Sequence, residues 1–559
     1  MRKTVEVRAF HYLFVIKISP FILVGIILIY GLNFPSLGIN KMKFIKSSIL
    51  SIYLVLFVSP IAHSAELSEN KLDGFVEEAM KAFDIPGVAV GIIKDSEVAH
   101  LKGYGVREYG KNGKVNGDTL YAIASNSKAF TAAGLAILVD DGLINWDDKV
   151  IDYLPNFRMM DSWVTREFTI RDLLTHRSGM GLGAGDLMFW PSTFVTRDEI
   201  IQNVRHLKMV SGFRTEYAYD NLLYVIAGEV IAAVSGHSFE DFIESRIINQ
   251  LAIKGGCYAD TTNLKEIDNI AQPHVMIEGK MQRAHRLQDL SEPMVIAAAG
   301  GLQCSARAML SWMNIHLNDG AGLMSKKQHD EMWSPQTILP VSTQDKNWHG
   351  TNFAAYGLGF RLKDYHGLKH VSHTGGLLGM VTYTVMIPQK KLGIVVLTNQ
   401  ENGAAMRSIM ENISQAYLET GDVDWTDRFE QIQNRSIERA ASQVAQEGAN
   451  ASQSALLPLK DYMGTFTDPW FGDVTIDKMG DDLYFKSVRS TKLKGKMYPF
   501  KYNTFKVIWD DRSFNADAYA MFSTDFEGKV NGLKMKAISP LTDFSYDFHD
   551  LDFTKVKKN

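Results

Sequence analysis

The chain has very little cysteine: only Cys257 and Cys304 occur in 559 residues. Two cysteines exclude a disulfide-dense framework, although one bridge is allowed in an exported protein, and the sequence leaves their pairing open. No clustered cysteine and histidine spacing resembles a structural zinc site. The neighbouring residues His366, His370 and His373 are interpreted as strand or turn histidines. We therefore expect neither a metal nor a cofactor.

A basic excess is also lacking, because the formal net charge is −4 at pH 7. Nothing in this charge calls for nucleic acid as a partner. A composition of 46% hydrophobic and 22% charged residues is ordinary for globular domains, and the length suits two or three structural units. The expected partner is a small-molecule or peptide substrate, and the sequence does not specify an oligomeric state.

Two apolar segments stand at the N-terminus, at residues 10–32 and 49–62. The second has the layout of a secretory signal over 42–64, with a basic start and a small-residue cleavage site. We expect an exported, periplasmic protein whose membrane contact is limited to these segments. Residues 1–41 are interpreted as an extension upstream of a misplaced start. The alternative is an uncleaved membrane anchor, because more than 18 largely apolar residues can span a bilayer.

Ser125 and Lys128 stand at the start of a predicted helix. Residues three apart share a helix face, so the lysine amine can lie beside the serine hydroxyl. A neutral lysine, its pKa lowered by burial, could accept the hydroxyl proton, and the helix N-terminus offers N–H groups to an oxyanion. The same spacing in Ser68 and Lys71 lies in a polar stretch with no buried helix, so we assign it no catalytic role.

Tyr219 and Asn221 precede an apolar helical run. A tyrosine near Lys128 could move a proton between Ser125 and a leaving group, and Asn221 could hydrogen-bond a substrate amide. The structural alternative is an aromatic side chain packed at a helix start, with Asn221 as its cap.

A third motif, His373-Thr374-Gly375-Gly376, lies between two predicted strands. A glycine-rich strand edge allows a substrate backbone to approach closely. Its N–H groups could form half of an oxyanion hole together with the N–H of Ser125.

Strand patterns stand on both sides of a mostly helical region at 125–312, so strands from both ends could join one sheet. The predicted strands are 88–93, 98–103, 356–362, 368–372, 381–387 and 392–397. A polar helical stretch at 424–446 then leads into residues of linker composition at 448–454. Short alternating runs after that stretch suggest a small antiparallel barrel or sandwich.

The three motifs, in this order and separation, resemble those of the penicillin-recognising serine hydrolases: class C β-lactamases, DD-peptidases and related esterases. The stretches 169–179 and 298–302 are similar to family segments as well, and the likeness runs over 72–404. The segment that begins at Leu459 looks like the lipocalin-like β domain often attached to this group.

The resemblance implies an α+β fold, in which helices flank a β-lactamase/transpeptidase-like sheet beside a helical subdomain, followed by a small C-terminal antiparallel β-barrel. The implied domains are a hydrolase domain at 65–421, a helical or flexible linker at 422–457 and a lipocalin-like barrel at 458–559.

Carried over residue by residue, the resemblance also implies roles for the motif residues. Catalysis would fall to Ser125 as nucleophile, Lys128 as base and Tyr219 as acid/base partner; substrate binding to Asn221, His373, Thr374 and Gly375; and the oxyanion hole to the backbone of Ser125 and Gly376. His176, in one of the family-like stretches, is interpreted as structural, because Ser-Lys-Tyr chemistry needs no histidine base.

Two departures loosen the substrate inference. His373 stands where many β-lactamases have lysine, and 211–214 replaces an upstream Pro-Gly. We expect an exported serine hydrolase that forms an acyl-enzyme with an amide or ester, and favour a peptidase or esterase. The alternatives are a dedicated class C-type β-lactamase and, from another class, a non-catalytic cell-wall or ligand-binding protein.

Overall fold

The computed structural model describes residues 67–251, 256–262, 264–286, 294–449 and 455–557. The predicted extension at 1–41 and the signal peptide at 42–64 lie outside these residues.

An eight-stranded antiparallel sheet forms the centre of the hydrolase domain. The predicted strands 88–93 and 98–103 form a hairpin, and its first strand pairs with the last strand of the region, with Val88 opposite Thr398. Strands from both ends of the region therefore do join one sheet. In spatial order the strands are Glu97–Gly105, Gly87–Lys94, Leu392–Thr398, Met380–Ile387, Leu368–Leu377, Arg361–Tyr365, Ala354–Tyr356 and Thr337–Leu339.

The sheet is buried on both faces because alternate side chains of its central strands pack in opposite directions. Val88, Val90 and Ile92 pack with three helices on one face, and Ala89 and Ile93 belong to the larger core on the other. The three helices are Glu69–Ala82, Gly403–Leu418 and Trp425–Gly448; the last corresponds to the polar stretch predicted as helical.

The second face carries the helical region and the motifs. Its α-helices are Ser127–Asp140, Val150–Tyr153, Ser162–Glu167, Ile170–Leu174, Arg197–Asn203, Leu222–Ser235, Phe239–Arg246, Ala306–Leu317 and Lys326–Met332. The helix Thr343–His349 lies on the first face, where its Trp348 packs against Trp425 and Phe429. Short strands complete the region: Tyr121–Ala122, Cys257–Tyr258, His274–Ile277, Lys280–Arg283 and Gln303–Cys304. Among the described residues no single helix is long and apolar enough to cross a membrane; only the bent pair Leu222–Ser235 and Phe239–Leu251 reaches that length and composition jointly.

The two cysteines lie opposite each other on neighbouring short strands and form a disulfide. This answers the question of pairing that the sequence leaves open.

Two predicted strands differ from those observed. The single strand expected at 356–362 is broken, because the chain turns at Gly359 with a left-handed φ of 79°. A Cβ on that glycine would lie 2.9 Å from the carbonyl oxygen of Lys128, so the break is where this segment approaches the Ser-Lys helix, Ser127–Asp140. The strand expected to end at 372 instead continues to Leu377, so the third motif lies within a strand.

The C-terminal region is a closed antiparallel barrel of eight strands. Its strands are Gly464–Asp468, Gly472–Met479, Asp482–Ser487, Lys494–Lys501, Thr504–Trp509, Ala518–Thr524, Val530–Ala537 and Asp552–Lys555, preceded by the short helix Leu459–Tyr462. Large apolar side chains from several strands, such as Phe466, Phe505 and Trp509, are buried in it. The connection between the last two strands, residues 538–551, is called the barrel loop below.

Asn126, inside the first motif, anchors the start of the Ser-Lys helix to the sheet. It is buried, and its Nδ2 donates to Thr382 Oγ1 at 2.9 Å. Its Oδ1 accepts from Thr384 Oγ1 at 2.6 Å. Both partners lie on the strand next to the third motif, so this asparagine sets the position of the helix relative to that motif.

We expect Asn126→Ala to lower the free energy of unfolding by about 2–3 kcal/mol, because two buried hydrogen bonds are lost and two threonine hydroxyls lose a partner. Urea unfolding followed by tryptophan fluorescence measures this. Thr384→Val should cost less in the Asn126→Ala background than in the wild type, since the pair shares one hydrogen bond. Additive effects of the two substitutions on the free energy of unfolding would contradict the hydrogen bond between Asn126 and Thr384.

Candidate active site

Ser125 lies in a single 3-10 turn, Ala124–Asn126, directly before the Ser-Lys helix. Ala124 has a left-handed φ of 49°, which is unfavourable for a residue with a Cβ and marks the sharp turn into the helix. Ser125 is half-buried and lines a cavity of about 320 Å³. This volume is at the small end of ligand pockets, which measure roughly 300–1,000 Å³.

Lys128 is completely buried, one turn along from Ser125. Its Nζ lies 3.1 Å from Ser125 Oγ, 2.6 Å from Asn221 Oδ1 and 2.8 Å from the carbonyl oxygen of Ala299. Ala299 belongs to the family-like stretch 298–302, which therefore supplies a backbone acceptor to the lysine. The first motif thus brings the two side chains together as its spacing predicts.

Burial lowers the pKa of Lys128 to about 7, against the attraction of Asp186 and Asp220, which favours the charged amine. A sizeable fraction of this lysine is therefore neutral at pH 7, with a lone pair available to a proton. Lys71, in the other copy of the motif, is exposed on its helix, which agrees with assigning that copy no catalytic role.

Tyr219 lies on the other side of the lysine, with Lys128 Nζ 4.8 Å from its ring centre. Its hydroxyl is buried and makes no hydrogen bond within the described part of the chain, but it is close enough to the Ser125 hydroxyl to interact with it. Burial and the nearby hydroxyl of Tyr356 raise the pKa of Tyr219 well above its ordinary value. At neutral pH the tyrosine is therefore protonated.

Asn221 connects the lysine to a carboxylate that the sequence analysis missed. Its Oδ1 accepts from Lys128, and its Nδ2 donates to Asp186 Oδ2 at 2.7 Å. Asn221 lines the cavity, as its predicted substrate contact requires, but its amide also orients the lysine. Asp186 follows a glycine-rich turn and has no motif around it, so only the fold reveals its position.

His373 is buried, and both of its ring nitrogens have partners inside the protein. Nε2 lies 3.0 Å from Tyr356 Oη, and Nδ1 lies 2.6 Å from the carbonyl oxygen of Thr374. Burial, with the positive charges of Lys128 and Arg361, lowers the pKa of His373 to about 3. The ring is therefore neutral at pH 7 and brings no positive charge to a substrate carboxylate.

The rest of the third motif divides into a cavity surface and a packing surface. Thr374 and Gly376 line the cavity with Ser125, which suits the oxyanion hole expected from the N–H groups of Ser125 and Gly376. Gly375, expected to bind substrate, is buried. It packs so closely against the turn that a Cβ there would lie 2.3 Å from the carbonyl oxygen of Ile123. This glycine brings the strand against the turn that carries Ser125.

Arg361 and the barrel loop also reach the cavity, and the sequence analysis missed both. The Arg361 guanidinium donates to Tyr217 Oη at 2.9 Å. It lines the same cavity as His373 and Thr374 and brings a positive charge to it. Asp543, Phe544 and Ser545 of the barrel loop form another part of its wall. Arg361 begins the strand that follows the break at Gly359. The sequence analysis predicts no break there and so gives no signal for this residue.

His176 has the structural role expected of it. It is buried, its Nδ1 accepts from the backbone N–H of Asp220 at 3.1 Å, and its ring packs between tyrosines. Burial lowers its pKa well below the ordinary value.

One group of three side chains with metal-ligand chemistry occurs in the described residues: Asp319, His329 and Asp330. Lys326 already pairs with both carboxylates, at 3.3 and 2.7 Å. None of these residues lines the Ser125 cavity.

Residues 72–417 match the family model described as Beta-lactamase. The chain belongs to the β-lactamase family. It is thus a serine hydrolase of this family, for which a serine, lysine and tyrosine mechanism is typical. Residues 449–555 match a second model, a domain of unknown function (DUF3471).

Among curated relatives, the unguisins hydrolase ungD' of Aspergillus campestris is 26% identical over 440 residues, which are 75% of this chain and 79% of the relative. Protein flp of Staphylococcus aureus strain N315 is 26% identical over 354 residues, 59% of this chain and 63% of the relative.

Solved structures share the fold. An octameric penicillin-binding protein homologue from Pyrococcus abyssi has a TM-score of 0.55 and 21% identity, covering 87% of this chain and 99% of its own. D-amino acid amidase from Ochrobactrum anthropi SV3 has a TM-score of 0.52 and 21% identity, covering 63% and 99%.

We expect the rate of covalent labelling of Ser125 by a fluorophosphonate to rise with pH around a midpoint near 7, because Lys128 loses its proton there and becomes a base. Lys128→Arg cannot deprotonate in this range and should reduce the rate by about 100-fold or more at every pH. Lys71→Arg is the matched control and should label like the wild type. A flat profile in the wild type would contradict Lys128 as the base.

Proposed function

We propose that the protein is an exported serine hydrolase that cleaves an amide or ester bond through an acyl-enzyme on Ser125. The observation that carries this proposal is the completely buried amine of Lys128, 3.1 Å from Ser125 Oγ, with its pKa lowered to about 7. A lysine poised near neutral pH can act as a general base in the cell.

In the first step, Ser125 Oγ attacks the substrate carbonyl carbon while its proton passes to Lys128 Nζ. The carbonyl oxygen becomes an oxyanion, which the N–H groups of Ser125 and Gly376 stabilise. The bond from that carbon to the leaving nitrogen or oxygen then breaks, and the leaving group receives the proton. Tyr219 transfers that proton from Lys128. Burial keeps the tyrosine hydroxyl protonated, and this hydroxyl is close enough to Ser125 to interact with it.

In the second step, water attacks the acyl carbon of the ester on Ser125. Lys128, neutral again, receives the water proton through Tyr219 and returns it to Ser125 Oγ as the acyl bond breaks. The products are a carboxylic acid and the free enzyme. Neither step needs a metal or a cofactor.

A small substrate with a carboxylate near the scissile bond suits the cavity. Its volume of about 320 Å³ holds a small molecule or the end of a peptide, and Arg361 offers the positive charge that the neutral His373 does not. By their names, one relative is a hydrolase of unguisins and the structural neighbour is an amidase of D-amino acids. We favour a peptidase or esterase for these reasons.

Two alternatives are distinguished by the experiment below. A dedicated class C-type β-lactamase would use the same residues but release the opened antibiotic rapidly. A non-catalytic cell-wall or ligand-binding protein would have the fold without a reactive Ser125.

Export to the periplasm is supported by the signal-like segment at 42–64 and by the disulfide between Cys257 and Cys304, because disulfides persist mainly in oxidising compartments. A mature chain that begins at Ala65 is the expected product, and a chain beginning upstream of residue 42 would favour the membrane anchor.

Intact-mass spectrometry of the native protein tests both parts of the proposal in one experiment. The wild type and Ser125→Ala are measured alone, with a fluorophosphonate and with a penicillin. We expect the mass of a chain that begins at Ala65 and a fluorophosphonate adduct that Ser125→Ala removes.

The penicillin sample then separates the substrate classes. A lasting penicilloyl adduct, weakened in Arg361→Gln, would favour a peptidase that recognises a carboxylate. Rapid appearance of opened penicillin would favour a β-lactamase, and no reaction an esterase or aminopeptidase. A folded wild type that forms no adduct with either reagent would overturn the proposed hydrolase mechanism.

A further inference from the structure

The barrel loop docks against the turn that carries Asp186. Its Asp547 is completely buried and accepts the backbone N–H of Gly185 at 2.7 Å and that of Leu187 at 3.0 Å. The two N–H groups flank Asp186, so Asp547 fixes the backbone on both sides of that residue. This contact attaches the loop to the hydrolase domain without the side chain of Ser545.

Ser545 makes a separate contact, with the side chain of Asp186 itself. Its Oγ donates to Asp186 Oδ2 at 2.9 Å. The same oxygen accepts from Asn221 Nδ2 at 2.7 Å. One carboxylate oxygen of Asp186 therefore accepts from a donor in the hydrolase domain and from a donor in the barrel. Ser545 is 359 residues from Asp186 in the chain.

These contacts continue without interruption to the nucleophile. Ser545 donates to Asp186, Asn221 donates to the same carboxylate oxygen, Lys128 donates to Asn221 Oδ1, and Lys128 Nζ lies 3.1 Å from Ser125 Oγ. Every member of this series is buried or half-buried, so no bulk water replaces a lost contact cheaply.

The charge of Asp186 depends on its two donors. Burial raises the pKa of this carboxyl well above its ordinary value, and the hydrogen bonds from Asn221 and Ser545 act in the opposite direction. Asp186 Oδ1 has no hydrogen-bond partner in the described residues. Without the Ser545 hydroxyl, Asn221 is the only side-chain donor left to this carboxylate among those residues.

Several titratable groups face Lys128 and Asp186 and enter any pH effect. Around Lys128 they are Asp186, Asp220, His176, His373, Tyr219 and Tyr224, and around Asp186 they are Lys128, Asp220 and Asp547. Burial lowers the pKa of both histidines, so they are neutral near pH 7. The pKa of Asp220, raised to about 7 by burial, makes it the other acid that titrates with the lysine.

A purely structural role for Ser545 is the competing explanation. The loop has a second attachment, the two hydrogen bonds of Asp547 to the turn, which argues against docking as the sole role of the Ser545 hydroxyl. Its hydrogen bond instead goes to the oxygen that orients Asn221.

We propose that Ser545 of the C-terminal barrel is a positioning residue of the active site, which acts through Asp186 and Asn221 to hold Lys128 against Ser125. The barrel is then a working part of the hydrolase site and not an independent module. This inference rests on the proposed function, because it assigns Ser545 to the acylation step.

The test measures fluorophosphonate labelling of Ser125 against pH in the intact purified chain. We expect Ser545→Ala to lower the plateau rate by about fivefold to tenfold, the effect of losing one hydrogen bond of ordinary strength. The midpoint should move to lower pH, because a less ionised Asp186 stabilises the charged form of Lys128 less and the pKa of the lysine falls. Ser545→Thr, which keeps the hydroxyl, should restore the plateau and the midpoint.

Ser523→Ala is the matched control, because this serine lies on an exposed strand position of the barrel and pairs with Asn531. It should label like the wild type. Thermal unfolding of each variant verifies that the barrel remains folded.

Three results would overturn the inference. The first is an unchanged plateau rate and midpoint in Ser545→Ala. The second is a lower plateau rate with an unmoved midpoint, which would indicate a structural effect only. The third is a folded Ser545→Thr that does not restore labelling. Failure of the proposed function is recognised separately, because the wild type itself would then not be labelled at Ser125.

Discussion

The burial of one lysine amine determines most of this site. A charged lysine is costly to remove from water, and Lys128 is completely buried. The structure offsets the cost with oxygen acceptors from the Ser-Lys turn, from Asn221 and from the backbone of Ala299. Each acceptor comes from a different part of the chain, so the Ser-Lys turn, the segment that carries Asn221 and the stretch 298–302 must all be in place before Ser125 has a base.

The same constraint explains why the site extends into the C-terminal barrel. Asp186 attracts the lysine charge but is itself buried, and its carboxylate is held by donors from both regions of the chain. The barrel loop also narrows the cavity with Phe544, whose ring lies 5.8 Å from that of Tyr219. The attached domain thus supplies part of the cavity wall in a fold that hosts several hydrolases.

Much of this was predictable from local sequence. The Ser125 and Lys128 pair is a helix-face relationship, and the central strands are nearly continuous apolar runs typical of buried strands, so both followed from the local pattern. The neutral state of His373 did not, because it results from burial and from the positive charges of Lys128 and Arg361. Nor did Asp186 or Ser545, whose roles arise from contacts between distant segments. The resemblance implied a substrate contact for Gly375, but a glycine that permits close packing of two segments has the same sequence signal as one that permits ligand approach.

Carbon-detected NMR of the lysine Cε atoms, in protein labelled with ¹³C-lysine, tests the central claim most directly, with Lys128→Met used to assign the signal. The account predicts that the Lys128 signal titrates near pH 7. A midpoint near the ordinary lysine value of about 10.4 would mean that the amine stays charged at neutral pH, and would contradict its role as the base for Ser125.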